Sequence, residues 1–432
     1  MMNWKMADPL MAEAAGRIMV RLTEAGHEAY WVGGCIRDEL LGRPVNDMDI
    51  TTSARPESVM SLFPKCVPTG LQHGTVTVLE AGFPFEVTTY RTESGYADHR
   101  RPENVVFVKD VKEDLRRRDF TINAICMGLD GALIDPFGGA EDLRRRLIRC
   151  VGTAEERFDE DALRMLRCVR FASTLDFRVA KNTWRGLLRR RDGLAHIAVE
   201  RVFAELTRIV EGPRPLRGLG MLARSGLLAR GKAPFPWTGE RLAAAAASLA
   251  SIGELESALL RWALLLHALG IPAAKAEAVL RAWTFPGATR RGVAQVLRFR
   301  EAWTAAAEAG PEDGPADFRR RFLAAVLAFG ADAAEGWLTL LTALPGGGPG
   351  AGHALAARRW LREMPVRELA DLAVTGSDLA SALDKRPGPW LGQLLQQLLL
   401  AAAAGDVFND RAALITIAKR MNQHEHEEDA GR

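Results

Sequence analysis

Cysteine is scarce and badly placed for cross-linking. The five thiols, at 35, 66, 126, 150 and 168, are an odd number with no Cys-x-x-Cys among them. That argues against a disulfide framework and against a zinc site, and reads as reduced thiols in the cytoplasm. Long apolar runs are absent too. Leu394 to Ala404 falls short of the roughly 18 residues a membrane span requires and reads as a buried helix, and Met1 to Leu10 lacks the basic-then-apolar pattern of a signal peptide. Nor is there an excess of one charge: 57 Lys and Arg against 54 Asp and Glu leave a net +3. No global field selects a polyanion, and arginine is instead clustered locally at 116–118, 144–146 and 189–191.

What is present is a chain of 432 residues, 48% of them hydrophobic, enough for a large core and roughly three domains. Asp8-Pro9 reads as an N-cap and first helical position, opening an amphipathic helix that Gly26 ends. A strand over 29–32, a helix over 35–41, a strand over 47–51 and a helix over 56–63 follow. Two alternating segments, 74–79 and 85–90, are joined by Glu80-Ala81-Gly82 as a hairpin. Strand-rich sequence ends near Ile134, and from about Glu141 alanine and leucine recur at helical spacing.

The expected fold class is an α+β head, a small mixed sheet with helices, followed by an all-α neck, body and tail. The expected boundaries are 1–145, 146–211, 212–350 and 351–420, with a solvated, disordered end over 421–432. Residues 310–315 and 345–352, rich in Gly and Pro, read as linkers between helical segments. Gly346, Gly348 and Ala351 match G-x-G-x-x-A, but no strand precedes them as a dinucleotide site requires.

Asp47-Met48-Asp49 carries the sharpest chemical signal. On a strand, residues i and i+2 share a face, so Asp47 and Asp49 can hold one or two hard divalent cations while Met48 points into a core. Upstream, Gly33 and Gly34 permit close backbone approach to phosphate oxygens, the helix after them offers its positive end to the same anion, and Arg37 adds charge. Glu86, on the second hairpin strand, is either an exposed strand residue or a third carboxylate. Carboxylates around paired Mg²⁺ suit phosphoryl or nucleotidyl transfer.

Two further constellations follow. Arg117-Arg118-Asp119-Phe120-Thr121-Ile122-Asn123-Ala124 mixes guanidinium, carboxylate and amide groups that can bind ribose and phosphate, and also reads as the cap of a helix. Glu160-Asp161-Ala162-Leu163-Arg164 opens a helix running through Phe171. Asp161 and Arg164 share a face, as an ion pair or as a base reader. A carboxylate accepting from an amino group and an arginine donating to a ring nitrogen fit cytosine and adenine, whereas uracil and guanine invert the pattern. Asp135-Pro136-Phe137-Gly138-Gly139 reads as a scaffolding turn.

Taken together and in order, Gly33-Gly34 with Arg37-Asp38, Leu41-Gly42-Arg43, Asp47-Met48-Asp49, the 117–124 run and Glu160-Asp161-x-x-Arg164 resemble the bacterial class II tRNA nucleotidyltransferases. These are the CCA-adding enzymes of the DNA polymerase beta-like nucleotidyltransferase superfamily, whose head poly(A) polymerases share. The resemblance covers about 29–210, including Glu200-Arg201-Val202, weakens through 211–350, and returns at Val374-Thr375-Gly376-Ser377-Asp378-Leu379 with Pro387-Gly388-Pro389-Trp390. It implies that Asp47 and Asp49 bind Mg²⁺, that Gly33, Gly34 and Arg37 meet the triphosphate of CTP or ATP, that Arg117, Asp119 and Asn123 surround the nucleotide, and that Asp161 and Arg164 read the base. Glu86 carries over as a third catalytic carboxylate. The tRNA 3′ end and elbow are implied to lie along the body and tail.

Residues 92–104, with Glu93, Asp98, Arg100 and Arg101, resemble the loop that CC-only enzymes lack, so CCA addition or A addition remains. Residues 68–74 lack the arginine-rich stretch of poly(A) polymerases, and no His-Asp dipeptide marks an appended phosphohydrolase domain. The rivals are a catalytically silent RNA-binding protein of the same fold and a nucleotidyltransferase for a small molecule.

Overall fold

The structure is a computed structural model that describes residues 4–95, 104–233, 235–236, 238–308 and 314–430. The chain forms two compact units, Met1–Ala243 and Ala244–Arg432.

In the first unit, the Asp8 carboxylate accepts from the Leu10 and Met11 N–H groups and so caps α1 (Pro9–Glu24). Next come β1 (Ala29–Val32), α2 (Gly34–Leu40), β2 (Ile50–Thr52), α3 (Pro56–Leu62) and β3 (Cys66–Gly70). The strand expected from Asp47 thus starts at Ile50. Residues 47–49 only approach it, the Asp49 carbonyl accepting from the Val32 N–H at 3.0 Å, since two aspartates are poor ladder formers.

The hairpin is as expected. β4 (Thr75–Glu80) and β5 (Phe83–Thr89) are joined by Ala81 and Gly82 at φ of 52° and 85°, a two-residue turn whose twist matches the strands. β6 (Arg91–Ser94) pairs antiparallel with β7 (Asn104–Phe107). Asp98, Arg100 and Arg101 of the intervening loop lie outside the described residues.

After α4 (Val111–Arg116) come β8 (Cys126–Met127), β9 (Leu133–Ile134) and α5 (Gly139–Arg144). The main sheet has the order β3-β4-β5-β2-β1-β8-β9 and is mixed, because β2 runs parallel to β5 and antiparallel to β1. Ile50, Val76, Val78, Phe85 and Val87 bury one face, while Thr75, Thr77, Glu86 and Thr88 occupy the other.

The rest of the first unit contains β10 (Leu147–Ile148), α6 (Ala154–Glu160), α7 (Leu163–Thr174), β11 (Arg178–Val179), α8 (Lys181–Arg190), α9 (Val199–Val210) and α10 (Pro215–Ser225). The parallel β10–β11 pair interrupts a stretch read as almost wholly helical; two-residue strands leave no periodicity to detect. Residues 160–164 do not open one helix either. α6 ends at Glu160 and α7 starts at Leu163, with Asp161 extended at φ −139° and ψ 103° between them. The 117–124 run does not cap the start of an α-helix either; Arg117 ends α4. It forms a loop with a single 3₁₀ turn, Thr121–Asn123, because Asp119 and Asn123 are bonded elsewhere.

A short helix, α11 (Gly239–Ala244), leads to the second unit. This unit comprises α12 (Ala258–Ala268), α13 (Ala273–Ala282), α14 (Gly287–Glu308), α15 (Gly314–Phe329), α16 (Ala331–Ala343), α17 (Ala354–Glu363), α18 (Gly376–Ala382), α19 (Pro389–Ala404) and α20 (Arg411–Ala430). Its interior is aromatic. Trp303 meets Phe318 and Phe322 edge-on at 5.2 and 5.9 Å, and Trp262 meets Phe285 at 4.7 Å.

Leu394 to Ala404 lies in α19 as a largely buried helix segment. α20 runs through residues expected to form a disordered end: with neither Gly nor Pro from 411 to 430, each added residue gains a hydrogen bond and nothing stops the helix. Among the described residues, no single helix is long and apolar enough to cross a membrane.

Candidate active site

The sheet places the aspartates. Met48 is 1% exposed and Ile50 fully buried, so alternation turns Asp47 and Asp49 to the opposite side. β2 pairs with β5 in the register Ile50 to Val87, and one step back sets Asp49 level with Glu86. Burial pushes the Asp49 carboxyl up to about 6, with Asp47 and then Glu86 adding to the rise while Arg118 opposes it. Among the described residues, neither Asp47 nor Asp49 has a hydrogen bond or ion pair through its carboxylate. Crowded carboxylates without a bonded counter-charge are the donor set that a hard divalent cation satisfies. Among the described residues, no three His, Cys, Asp or Glu side chains are gathered closely enough to hold a metal ion, so a metal site here would rest on the two aspartates, with Glu86 nearby in the field.

Gly33 turns the chain from β1 into α2 at φ 78°, and a Cβ there would sit 2.9 Å from Nη1 of Arg118. Its N–H is already given to the Ile125 carbonyl at 3.1 Å. Of the glycine pair, Gly34 is therefore the one at the start of α2, where N–H groups lack intrahelical partners.

The far wall is a chain of charge-assisted hydrogen bonds. Arg167 donates through Nε and Nη2 to Asp119 Oδ2 at 2.8 and 2.7 Å. Asn123 Nδ2 donates to Asp119 Oδ1 at 3.0 Å, and its own carbonyl oxygen accepts from Arg37 Nη1 at 2.7 Å. Arg37 in turn clamps Asp38 at 3.0 and 2.6 Å. Burial opposes the charge on Asp119, yet Arg167, the Asn123 amide and Arg164 outweigh it and hold the carboxyl well below the usual range. Asp119 thus stays ionised as the fixed hub of this wall. Phe171 lies beneath three guanidinium groups, those of Arg37, Arg167 and Arg170, at 5.1, 5.4 and 4.0 Å from its centroid.

Asp161 and Arg164 do not form the ion pair that their spacing allowed. Asp161 accepts from Arg201 at 2.9 and 3.4 Å and from the Leu163 N–H at 3.0 Å. Arg164 donates to Glu160 at 2.5 Å and to the carbonyls of Arg157 and Arg117 at 3.2 and 2.9 Å. Each is oriented by other groups, which leaves both as rigid lining of one cleft of about 470 Å³. Gly33, Gly34, Arg37, Asp47, Asp49, Arg117, Asp119 and Asn123 line the same cleft, while Glu86 does not.

Four further residues stood inside the sequence motifs without a role of their own. Arg118, Arg167, Phe171 and Arg201 also line the cleft. Arg117 is held by Asp114 and Glu93, and it is Arg118 that bears on Asp49. In a run of three arginines the sequence offers no way to tell which one faces inward. Arg167 could have been found from its place one turn beyond Arg164. The Asp135 turn is a scaffold as expected: its carboxylate accepts from the Gly139 and Ala140 N–H groups at 2.7 and 2.8 Å.

Residues 29–149 match the Poly A polymerase head domain, 176–230 a probable RNA and SrmB-binding site of polymerase A, and 353–418 a putative tRNA nucleotidyltransferase domain 2. The chain is 41% identical over 422 residues to the CCA-adding enzyme of Geobacillus stearothermophilus, covering 96% of this chain and 98% of that protein. The chain belongs to the CCA-adding enzymes. A second relative, from Geobacillus thermodenitrificans, is 41% identical over 408 residues, 93% of this chain and 95% of that protein. The crystal structure of the Bacillus stearothermophilus CCA-adding enzyme in complex with CTP superposes with a TM-score of 0.81 at 38% identity, covering 98% of this chain and all of that one. Within the CCA-adding family frame, the head match takes in the glycines, the aspartates and the 117–123 wall. Asp161 and Arg164 fall in the interval before the 176–230 match.

Proposed function

We propose that this chain adds C and A from CTP and ATP to the 3′ end of tRNA without a nucleic-acid template, releasing pyrophosphate, and that Asp47 and Asp49 do so as Mg²⁺ ligands. The observation that carries this reading is the convergence of an unpartnered aspartate pair and the Asp161–Arg164 edge on one cleft. The family relative solved with CTP supports it. In the reaction the tRNA 3′-hydroxyl gives up its proton to solvent and its oxygen attacks the α-phosphorus in line; a new P–O bond forms, and the bond to the bridging oxygen breaks so that pyrophosphate leaves with its electron pair. Asp47 and Asp49 would hold Mg²⁺, which would supply positive charge favouring the attacking and the leaving oxygen.

The chain's own residues do the rest. Arg37, Arg117 and Arg118 present guanidinium groups to the triphosphate, with Gly34 at the start of α2 beside them. Asp119 and Asn123 hold the wall against which ribose sits. Asp161 accepts from the amino group of cytosine or adenine, and Arg164 donates to the neighbouring ring nitrogen. UTP and GTP present the inverted pattern, a carbonyl oxygen to Asp161 and a ring N–H to Arg164, and are expected to be rejected for that mismatch. Arginines of the helical body and tail meet tRNA phosphates along the acceptor and elbow.

The decisive assay offers tRNAs ending at the discriminator base, at C and at CC, each with CTP, ATP or both. CCA addition predicts that all three are completed when both nucleotides are present. Extension of the CC-ended species alone would make this an A-adding enzyme, and no tRNA-dependent pyrophosphate release would return the silent RNA-binding reading.

A further inference from the structure

Arg164 is docked on the end of a short helix. It donates through Nη2 to the Arg117 carbonyl at 2.9 Å, and its neighbour Arg157 donates through Nη1 to the Arg116 carbonyl at 3.1 Å. Both carbonyls stand at the C-terminal end of α4, where a helix has no partners of its own to offer them. Arg164 Nη1 meets the Arg157 carbonyl and Glu160. Among the described residues, these bonds leave Arg164 its Nε–H and one Nη2–H, the donors that remain for a base. Where those donors stand therefore depends on where the Arg117 carbonyl stands.

A helix of six residues does not hold that position alone, since nucleation costs more than so few bonds return. The Arg117 side chain holds it instead. Asp114, one turn back and fully buried, accepts from Arg117 Nε and Nη2, both at 2.9 Å. The same carboxylate accepts the Arg91 N–H at 3.3 Å and lies 3.2 Å from the Thr51 hydroxyl, two residues beyond Asp49 on β2. Glu93 of β6 accepts from Arg117 Nη1 at 3.2 Å and from Arg91 Nε at 2.7 Å, with its side chain only 9% exposed. Two carboxylates from different elements thus grip one guanidinium and tie it to the main sheet and to the β6–β7 ribbon.

The electrostatics follow the same route. Burial pushes the Glu160 carboxyl up, Arg164 and Arg157 oppose that rise, and Glu93 adds to it. The charge of Glu93 is therefore felt by the ion-pair partner of Arg164. Neither Glu93 nor Asp114 lines the cleft, so neither is placed to touch a nucleotide.

We propose that Glu93 and Asp114 are positioning residues for base choice: by gripping Arg117 they fix the carbonyl on which Arg164 rests, and so set how strictly cytosine and adenine are preferred over uracil and guanine. This rests on the reading of Arg164 as a base reader.

The test measures kcat/KM for CTP and for UTP on a tRNA ending at its discriminator base, in the parent, Glu93→Ala, Glu93→Gln, Asp114→Asn and Arg164→Ala. A variant that merely folds less well loses active enzyme for both nucleotides alike, and its CTP-to-UTP ratio stays at the parent's value. The proposal expects that ratio to fall about tenfold in Glu93→Ala and in Asp114→Asn, the scale of one charge-assisted hydrogen bond. Glu93→Gln, whose amide oxygen still accepts from Arg117, should recover part of the preference. A ratio that either Glu93→Ala or Asp114→Asn leaves unchanged, while Arg164→Ala lowers it, overturns the proposal. A ratio unchanged in Arg164→Ala overturns the base-reading assignment itself, and the route through the Arg117 carbonyl with it.

Discussion

The two units bury different things. Every buried polar or charged residue among those described lies in Met1–Ala243, apart from Arg261: Asp114, Asp119, Asn123, Asp142 and Glu205 are there, with several Thr and Ser. The second unit instead buries rings, Trp262, Trp283, Trp303, Trp337, Phe299 and Phe322 among its largest. The first unit's acids are matched by arginines, Asp119 by Arg167, Glu205 by Arg170 and Asp142 by Arg149. Such pairs add little net stability but fix donors and acceptors in place. Aromatic packing stabilises without presenting chemistry. The first unit is therefore built to hold charges still, and the second to hold a shape.

That contrast can be broken by substitution. The largest effect is expected at Asp47→Ala or Asp49→Ala. Nucleotide incorporation should fall on the order of a thousandfold or more, the scale of losing several kcal/mol of charge stabilisation, while tRNA retention on a filter is unchanged. Normal turnover by either variant would refute the metal assignment.

Asp119→Ala should damage both properties at once. Losing the charge-assisted bonds that Asp119 accepts from Arg167, which is half-buried, and from Asn123 costs about 1–3 kcal/mol in denaturant unfolding, and the freed Asn123 and Arg37 should raise KM for both CTP and ATP. Phe322→Ala, in the ring cluster with Trp303, should cost about 3–5 kcal/mol but leave kcat intact below its lowered Tm. A fall in kcat, or a rise in KM matching that of Asp119→Ala, would erase the distinction between the units.

The smallest effect concerns pH. The folded pKa of His267, pushed down by burial and by Arg300 to about 4, lies below the ordinary 6.5, so between those values the unfolded chain binds the proton more readily. Its contribution to stability is complete above about 6.5 and is lost as pH falls toward 4. The drop in Tm from pH 7 to pH 5 should be smaller in His267→Gln than in the parent. An equal drop would mean that His267 does not titrate as its surroundings dictate.

Much of this was legible in the chain. The α1 cap, the hairpin turn and the face of Asp47 and Asp49 follow from local rules of spacing and backbone freedom, which short windows carry. The start of β2, the break at Asp161 and the β10–β11 pair were not legible. Each depends on partners distant in sequence: Val32 for Asp49, Arg201 for Asp161, Arg178 for Leu147. The choice between Arg117 and Arg118 was hidden for the same reason, because Asp114 and Glu93 hold one while the other faces Gly33. Residues 345–352 looked only like a linker, and the bond from Trp303 Nε1 to the Pro349 carbonyl was hidden, since composition shows where a chain turns and not what it turns around.

The central claim is that side chains of the first unit, rather than a template strand, choose the base. Its most direct test is single-nucleotide incorporation from each of CTP, ATP, UTP and GTP on a tRNA lacking its CCA end, comparing the parent with Asp161→Ala and Arg164→Ala. The account predicts that the parent accepts CTP over UTP and GTP, and that each variant loses much of that preference, with UTP or GTP gaining relative to CTP. Discrimination unchanged in both variants would contradict it.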